Sequence, residues 1–233
     1  MNKAYDPTDT QGSGQWIQAE QGFVTRVFNW MFIGLLATAV VSFLIVTNEY
    51  ILRALMTNSL LMIGLGIGLL AMVWNLSANI TKMSPQAAAM NFFIYSALNG
   101  AFISSIFVIY TASSIFTTFL VASATFGAMA LYGATTKKDL TGIGSLAFMA
   151  LIGLIIAQVV NMFLHSTGLA SLINYAGVLV FVALTAYDVQ KIKKIGQQTN
   201  YHPNMAILGA LTLYLDFINL FLFLLRIMGN RRN

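Results

Sequence analysis

The chain has 233 residues, of which 58% are hydrophobic and only 8% are charged, and its formal net charge is +5. This composition is typical of an integral membrane protein and excludes an ordinary soluble domain, whose helices would need charged faces. With no cysteine present, disulfides, thiolate metal sites and a cysteine nucleophile are excluded. The basic residues lie in short loops between apolar segments, so we interpret them as a signal of membrane topology. We do not predict binding to nucleic acid.

The apolar segments predict an all-α integral membrane protein with seven transmembrane helices. The first 25 residues are polar, and we predict a flexible N-terminal tail over 1–25. A seven-helix domain is predicted over 26–228, followed by a short basic C-terminal tail over 229–233. One crossing of the bilayer needs about 20 apolar residues. On that basis the spans are placed at 29–47, 54–76, 87–109, 114–134, 143–164, 172–189 and 205–225.

The positive charges predict a cytoplasmic N-terminus. Arg53 is the one basic residue predicted in the loops on the opposite side. A seventh full crossing, however, places Arg226, Arg231 and Arg232 outside, so we keep two alternatives for the last segment, a full crossing and a re-entrant segment. The compact length suits a bacterial inner (plasma) membrane. With the N-terminus in the cytoplasm, the basic residues on the cytoplasmic side are Lys3, Arg26, Lys82, Lys137, Lys138, Lys191, Lys193 and Lys194.

Polar residues recur at helical spacing on three of the predicted spans, which places each set on one helix face. One interpretation is that three helices line a single polar interior. The alternative, favoured for the amides alone, is that these groups join neighbouring helices through hydrogen bonds of about 0.6–2 kcal/mol each. The sets are Asn91, Tyr95 and Asn99 on the third span, Gln158, Asn161 and His165 on the fifth, and Gly209, Thr212, Asp216 and Asn219 on the last.

Three glycines of the second span, Gly64, Gly66 and Gly68, have the spacing of a phosphate-binding loop. They lie within an apolar segment that no strand precedes, which excludes that interpretation. We instead predict close helix packing through Gly64 and Gly68.

Asp188 and Asp216 are the acidic residues that fall inside predicted spans. An ionised side chain in hydrocarbon costs about 2.5–3.5 kcal/mol even on the insertion scales, so such residues usually face a bundle interior with a partner. At 1.5 Å per residue the two lie at roughly similar heights, about 10 and 16 Å above the loop that joins their helices. Side-by-side carboxyl groups would share a proton, and its loss would drive the helices apart.

A hard cation could also bind such a pair of carboxylates. The alternative is that the aspartates do not meet: Asp188 reaches water near Lys191, and Asp216 bonds to a neighbouring hydroxyl group. We predict Asp188 and Asp216 as the pH-sensing and gating residues. The predicted pore-lining or supporting residues are Thr212, Asn219, Asn161, Gln158 and Tyr187.

Three motifs resemble those of the Bax inhibitor-1 (transmembrane Bax inhibitor motif) family. Residues 213–221, Leu-Tyr-Leu-Asp-Phe-Ile-Asn-Leu-Phe, followed by Leu-Leu-Arg at 224–226, resemble its last-helix signature. Tyr187-Asp188 with Gln-Lys-Ile at 190–192 resembles its sixth-helix motif. Gly133 with Lys-Lys-Asp-Leu-Thr at 137–141 resembles its fourth-to-fifth loop. The resemblance covers residues 26–228.

This resemblance implies a fold whose last helix is central. Bacterial members of the family resemble pH-sensitive calcium leak channels, so the resemblance also implies that function. It implies that the two sensing aspartates are Asp188 and Asp216, which would be transient Ca²⁺ ligands. Ca²⁺ is then the permeant ion, protons are the regulator, and no resident cofactor is expected. One departure is the stretch Trp-Asn-Leu-Ser at 74–77, where some bacterial relatives carry arginines that latch the sixth-helix aspartate. We therefore expect no arginine latch here.

Other functions remain open from the sequence. A partner-binding regulator of a membrane protease, or of cell stress and death, is the main alternative to a channel, and proton-coupled transport is another. Intramembrane aspartyl proteases also carry a Tyr-Asp and a second Asp on consecutive helices. This chain lacks the glycines around its second aspartate and the Pro-Ala-Leu motif of those enzymes, so we expect no enzyme.

Overall fold

The computed structural model describes residues 10–198 and 201–232, which fold into helices joined by short loops. Seven segments of this part of the chain are long and apolar enough to cross a membrane, and the prediction of seven spans is confirmed. The helices are α1 (Thr10–Thr47), α2 (Glu49–Thr57), α3 (Ser59–Asn79), α4 (Pro85–Ile103), α5 (Ile106–Ile109), α6 (Ala112–Thr135), α7 (Thr141–Leu164), α8 (Thr167–Gly196) and α9 (Met205–Met228). The third span combines α4 with the one-turn helix α5.

The helices extend further than the apolar segments that predicted them. Helix α1 already begins at Thr10, so residues 10–25, which we assigned to the polar tail, are helical, while residues 1–9 lie outside the described part. Helix α8 continues to Gly196, two turns beyond its predicted end. Hydropathy marks the part of a helix that lies in lipid, whereas a helix can continue past it into polar surroundings. The division into a tail and a membrane domain stays a prediction.

Helix α9 is the central helix of the fold. In its most apolar stretch 72% of the residues are buried, compared with at most 44% in any other span of the described chain. It packs against α8, α1, α6 and α4, and buried side chains, including Leu213, Tyr214 and Leu220, cover most of its circumference. The remaining face, which carries Thr212 and Asn219, is half-buried. The central position of the last helix, which the resemblance implied, is therefore confirmed.

Contacts at both ends of α9 establish that it crosses the bundle completely. At its start, the Asn204 side-chain amide donates to the carbonyl oxygens of Ile80 (2.9 Å) and Met83 (2.8 Å) in the α3–α4 connection. Beyond its end, the Thr111 N–H donates to the carbonyl of Asn230 (3.1 Å), next to an isolated bridge between Tyr110 and Arg231. One complete span, α4 with α5, separates these two contact regions. The re-entrant alternative is wrong.

The two ends of the bundle carry different basic residues. We call the end with Lys82, Lys137 and Lys138 the lysine end, and the end with Arg226 and Arg231 the arginine end. The C-terminal residues 230–232 are attached to the arginine end through the contacts with the α5–α6 connection.

The glycines that allow close helix packing are not those predicted. A Cβ atom at Gly64 or Gly68 would meet nothing within 4 Å, so the prediction of packing through these two residues is wrong. Helix α3 lies at the periphery, where small residues can simply face lipid. At Gly133 of α6, in contrast, a Cβ atom would overlap the carbonyl oxygen of Ala186 in α8.

Replacing Gly133 with alanine is therefore expected to destabilise the protein by about 1–3 kcal/mol, because the neighbouring atom belongs to the backbone and α8 itself must move. The measurement is thermal unfolding of the purified protein in detergent. Gly127→Ala is the matched control, since Gly127 lies on the same helix and faces open space. Both variants gain the same helix propensity. Equal melting temperatures for the two would show that the α6–α8 contact is looser than the structure indicates.

Candidate functional site

The structure brings the two membrane aspartates together. Asp188 of α8 and Asp216 of α9 are 8% and 4% exposed, and their carboxyl groups lie within hydrogen-bonding reach of each other. The helices are antiparallel neighbours in close contact on both sides of this pair. A Cβ atom at Gly177 would lie 2.6 Å from the ring of Phe223, and one at Gly209 would lie 3.3 Å from Ile192. These close contacts fix the register that places the aspartates opposite each other.

One oxygen of this pair has no ordinary hydrogen-bond donor. Asp216 Oδ2 is buried, and no N–H or O–H group of the described residues donates to it. The hydroxyl of Thr212, four residues earlier on the same helix face, donates instead to the carbonyl oxygen of Leu208 at 3.1 Å. Two ionised carboxylates in contact would repel each other, whereas a proton on one gives a donor for the other. The arrangement therefore suits a carboxyl pair that shares one proton.

The aspartate pair lines a cavity of about 440 Å³. We call it the aspartate cavity. Thr212, Asp216, Asn219, Phe223 and Arg226 line it from one face of α9. The cavity follows α9 over roughly 21 Å at 1.5 Å per residue, from Thr212, one turn on the lysine-end side of Asp216, to Arg226 at the arginine end.

A second cavity, of about 460 Å³, adjoins the aspartate cavity at the arginine end. Gln158 of α7 and Arg226 of α9 line both. The second cavity is also lined by Asn161, Asn174 and Arg231. Polar groups therefore continue from the arginine end of the bundle to the carboxyl pair.

Helix packing continues on the lysine-end side of the aspartates. There α8 and α9 are in direct contact, and a Cβ atom at Gly209 of α9 would lie 3.3 Å from Ile192 of α8. At the height of the pair, the backbone of Ala186 lies against Gly133 of α6, which also holds α8 in place. The described residues therefore pack closely around the carboxyl pair on this side.

The predicted supporting residues divide into two groups. Thr212, Asn219 and Gln158 line the aspartate cavity. Asn161 and Tyr187 do not line it. The Asn161 side-chain oxygen accepts from the Ser166 N–H (3.0 Å) at the α7–α8 connection, and the Tyr187 ring packs on α7 with Lys191 at 6.0 Å from its centroid.

The polar stripe of the third span belongs to a different cluster. Asn99 of α4 donates to the Tyr214 hydroxyl at 2.7 Å, and that hydroxyl shares a 2.6 Å hydrogen bond with Thr38 of α1. Tyr214 and Asp216 are two residues apart, so they point to nearly opposite sides of α9. Hydrogen bonding between helices is confirmed for Asn99. Asn99 and Tyr95 also line a further cavity together with Asn219 of α9, so the interpretation of one shared polar interior stays a prediction.

Sequence reasoning missed Tyr214 and Thr38. Their signal was weak, because a tyrosine or threonine inside an apolar span is common, and no spacing relates residues of α1 and α9. The pair nevertheless matters for the site, since the buried Tyr214 cluster fixes the rotation of α9 about its axis.

No arginine approaches Asp188 from the stretch at 74–77, where Trp74 is 78% exposed on the outside of α3. The cation whose charge acts on Asp188 is Lys191, which follows it by nearly one turn of α8. Lys191 is exposed, so it is a weaker and more mobile counter-charge than a buried arginine would be.

The described residues contain no group of three or more His, Cys, Asp or Glu side chains that could hold a metal ion. Around the aspartate cavity, Asp188 and Asp216 offer the carboxylate oxygens, and Thr212, Asn219 and Gln158 offer neutral ones. Stable Ca²⁺ sites use about six to eight oxygen ligands, and several of these are commonly carboxylates. This donor set fits transient contact with a cation better than storage.

Together these features define an integral membrane protein of seven spans, whose central helix shares a buried carboxyl pair with the preceding helix. The family model described as "Inhibitor of apoptosis-promoting Bax1" matches residues 20–233. The chain therefore belongs to the Bax inhibitor-1 family, as its motifs indicated.

The chain is similar to several bacterial proteins along most of its length. It is 52% identical over 217 residues to the "Inner membrane protein YbhL" of Escherichia coli strain K12, covering 91% of this chain and 93% of that protein. An "Uncharacterized protein" of Borreliella burgdorferi is 44% identical over 223 residues, 94% of this chain and 96% of that protein. The "Uncharacterized protein RP147" of Rickettsia prowazekii is 38% identical over 235 residues, 97% of each chain.

Proposed function

We propose that the protein is a pH-sensitive calcium leak channel of a bacterial inner membrane. A proton shared by Asp188 and Asp216 holds it closed, and loss of that proton opens it. The observation that carries the proposal is the contact between two buried carboxyl groups in the wall of a cavity, with an Asp216 oxygen that lacks another donor.

Opening follows from the charge of the pair. Once the proton leaves, two negative charges face each other, and at 4 Å in an effective dielectric of about 20 their repulsion is about 4 kcal/mol. Separation of α8 from α9 relieves this repulsion and extends the aspartate cavity towards the lysine end, past the contact between Ile192 and Gly209. A calcium ion that enters replaces the lost positive charge and finds carboxylate oxygens, which it prefers.

The location and orientation follow from the similar protein of Escherichia coli and from the charge distribution. That relative is named an inner membrane protein, and we place this chain in the same membrane. The lysine-rich loops and the N-terminus face the cytoplasm. The aspartate cavity then communicates with the outside through Gln158 and Arg226, and Ca²⁺ moves inwards down its gradient.

Calcium entry into liposomes that contain the purified protein and a trapped calcium dye is expected to rise at least about tenfold from about pH 5 to about pH 8, as the pair loses its proton. Empty liposomes give the background. Entry that falls with pH, or that does not change, would contradict the proposed gate.

Asp139→Asn is a matched control for this pH profile. Asp139 is an exposed loop residue, and hydrogen bonds from Lys194 and Thr141 lower its pKa from 3.8 to about 2. A carboxyl group with a lowered pKa stabilises the fold above its ordinary pKa, and the effect is lost only as the pH falls through about 2. The residue stays ionised at every pH of the flux assay, so its replacement should leave the profile unchanged.

The alternative function, a partner-binding regulator of a membrane protease or of cell stress, gives different results in the same preparation. A regulator would show no calcium entry above background at any pH, and would copurify with its partner even after loss of both aspartates. The proposal also assigns no catalytic activity. Cleavage of a helical model substrate that depends on both Asp188 and Asp216 would instead establish an intramembrane protease.

A further inference from the structure

A separate cavity of about 230 Å³ lies at the lysine end of the bundle, between the α6–α7 connection and the last turns of α8. Four lysines line it: Lys137 and Lys138 from the connection, and Lys193 and Lys194 from α8. We call it the lysine cavity. Asp139 is the acidic residue among its described lining residues. It shares no lining residue with the aspartate cavity.

The walls of the lysine cavity are held together by specific hydrogen bonds. The buried Gln190 of α8 accepts from the Leu140 N–H (2.9 Å) and donates to the Lys138 carbonyl (2.8 Å), which fastens the connection to α8. On the other side, Lys193 Nζ donates to the carbonyl oxygen of Ala134 at 3.0 Å. The fold therefore brings the four lysines close to one another, although their charges repel.

Carboxylates neutralise only part of this charge. Lys194 pairs with Asp139 at 2.9 Å, and Lys193 lies 3.5 Å from Glu20 of α1. Lys137 and Lys138 are exposed, and neither has a carboxylate partner in the part of the chain that the structure describes. The negative end of the α8 dipole contributes about half a charge. A net positive charge remains around a space formed by two chain segments.

We propose that the lysine cavity binds a phosphate group. The volume holds a phosphate with several waters, each of which occupies about 30 Å³ in the liquid. Lysine ammonium groups bind phosphate as point charges. Because the cavity lies just beyond the ends of membrane-spanning helices, the headgroup of an anionic phospholipid can reach it, as basic pockets between such helices allow. The same chemistry would accept free phosphate, and this site does not depend on the proposed calcium channel.

The test is a titration of the full-length protein with phosphatidylglycerol in phosphatidylcholine nanodiscs, in which native mass spectrometry counts the bound anionic lipids. Lys137→Gln and Lys138→Gln are each expected to weaken binding about fivefold, because each removes from the cavity one ammonium group that binds the phosphate as a point charge. Lys82→Gln is the matched control. It removes one exposed lysine from the same end of the bundle but outside the cavity, where salt screens its charge from the bound headgroup, and binding should stay within about twofold of wild type.

A second arm separates the two sources of phosphate. Equilibrium dialysis of the detergent-purified protein against labelled inorganic phosphate tests the free ion. Binding of inorganic phosphate that Lys138→Gln weakens supports a soluble ligand, and binding of phosphatidylglycerol alone supports a lipid headgroup. Two results would overturn the site: no binding of either probe, or binding that Lys82→Gln weakens as much as Lys138→Gln does.

Discussion

Calcium entry through the Asp216→Asn variant is expected to stay low and flat across the pH range in which wild-type entry rises, at least about tenfold below wild type at the upper end. Asparagine has the shape of a protonated aspartate and can donate from its amide to Asp188, but it has no proton to release in this range. The repulsion that separates α8 from α9 then never develops. The measurement is the liposome assay with a trapped calcium dye, read at each pH.

The Asp139→Asn protein makes the same chemical change outside the membrane spans, and it separates the effect of the pair from that of any lost carboxylate. The variant must also be compared with wild type for thermal stability in detergent, because Asp216 is buried. A folded Asp216→Asn protein that conducts calcium with the wild-type pH profile would remove the carboxyl pair from the gating mechanism.

Replacement of Arg226 with glutamine is expected to increase calcium entry about tenfold at a pH where the channel is open. Arg226 lines both the aspartate cavity and the cavity at the arginine end, so a calcium ion on this route passes a fixed positive charge. Two unit charges 4 Å apart in water repel by about 1 kcal/mol, and the double charge of Ca²⁺ makes this about 2 kcal/mol before screening by salt. Salt should therefore reduce the difference between the variant and wild type.

Arg53→Gln is the control for this change. Arg53 is an exposed residue of α2 at the same end of the bundle, and it lines neither of these two cavities. It therefore reports the effect of surface charge on the local calcium concentration. Equal increases in both variants, or an unchanged rate in Arg226→Gln, would place the ion route away from Gln158 and Arg226.

The number of spans and the aspartate pair were predictable because lipid imposes strict requirements on both. Each crossing needs a long apolar segment, and an acidic residue such as Asp216 within one needs a partner. The short α8–α9 connection makes the two helices neighbours, and Asp188 and Asp216 lie at similar distances from it. These are local or nearly local properties, which a sequence records directly.

What the sequence does not record is which face of an apolar helix meets which neighbour. In helices that are apolar on all sides, hydrophobic periodicity indicates no direction. For this reason Gly64 and Gly68 were expected at a helix contact, although they meet nothing within 4 Å, while the tight contact lies at Gly133. The sequence likewise left open whether Asn99 lines an interior with Asp216 or joins neighbouring helices, and the structure shows its hydrogen bond to Tyr214 on the other side of α9.

The proton shared by Asp188 and Asp216 is tested most directly by infrared difference spectroscopy of the reconstituted protein as the pH is raised. A carbonyl-stretch band of a protonated carboxyl group should be present at low pH, should be absent from the Asp188→Asn/Asp216→Asn double variant, and should disappear with the same midpoint at which calcium entry rises. If wild type and the double variant give the same spectrum at every pH, no proton is held between these carboxyl groups, and the gate must be sought elsewhere in the protein.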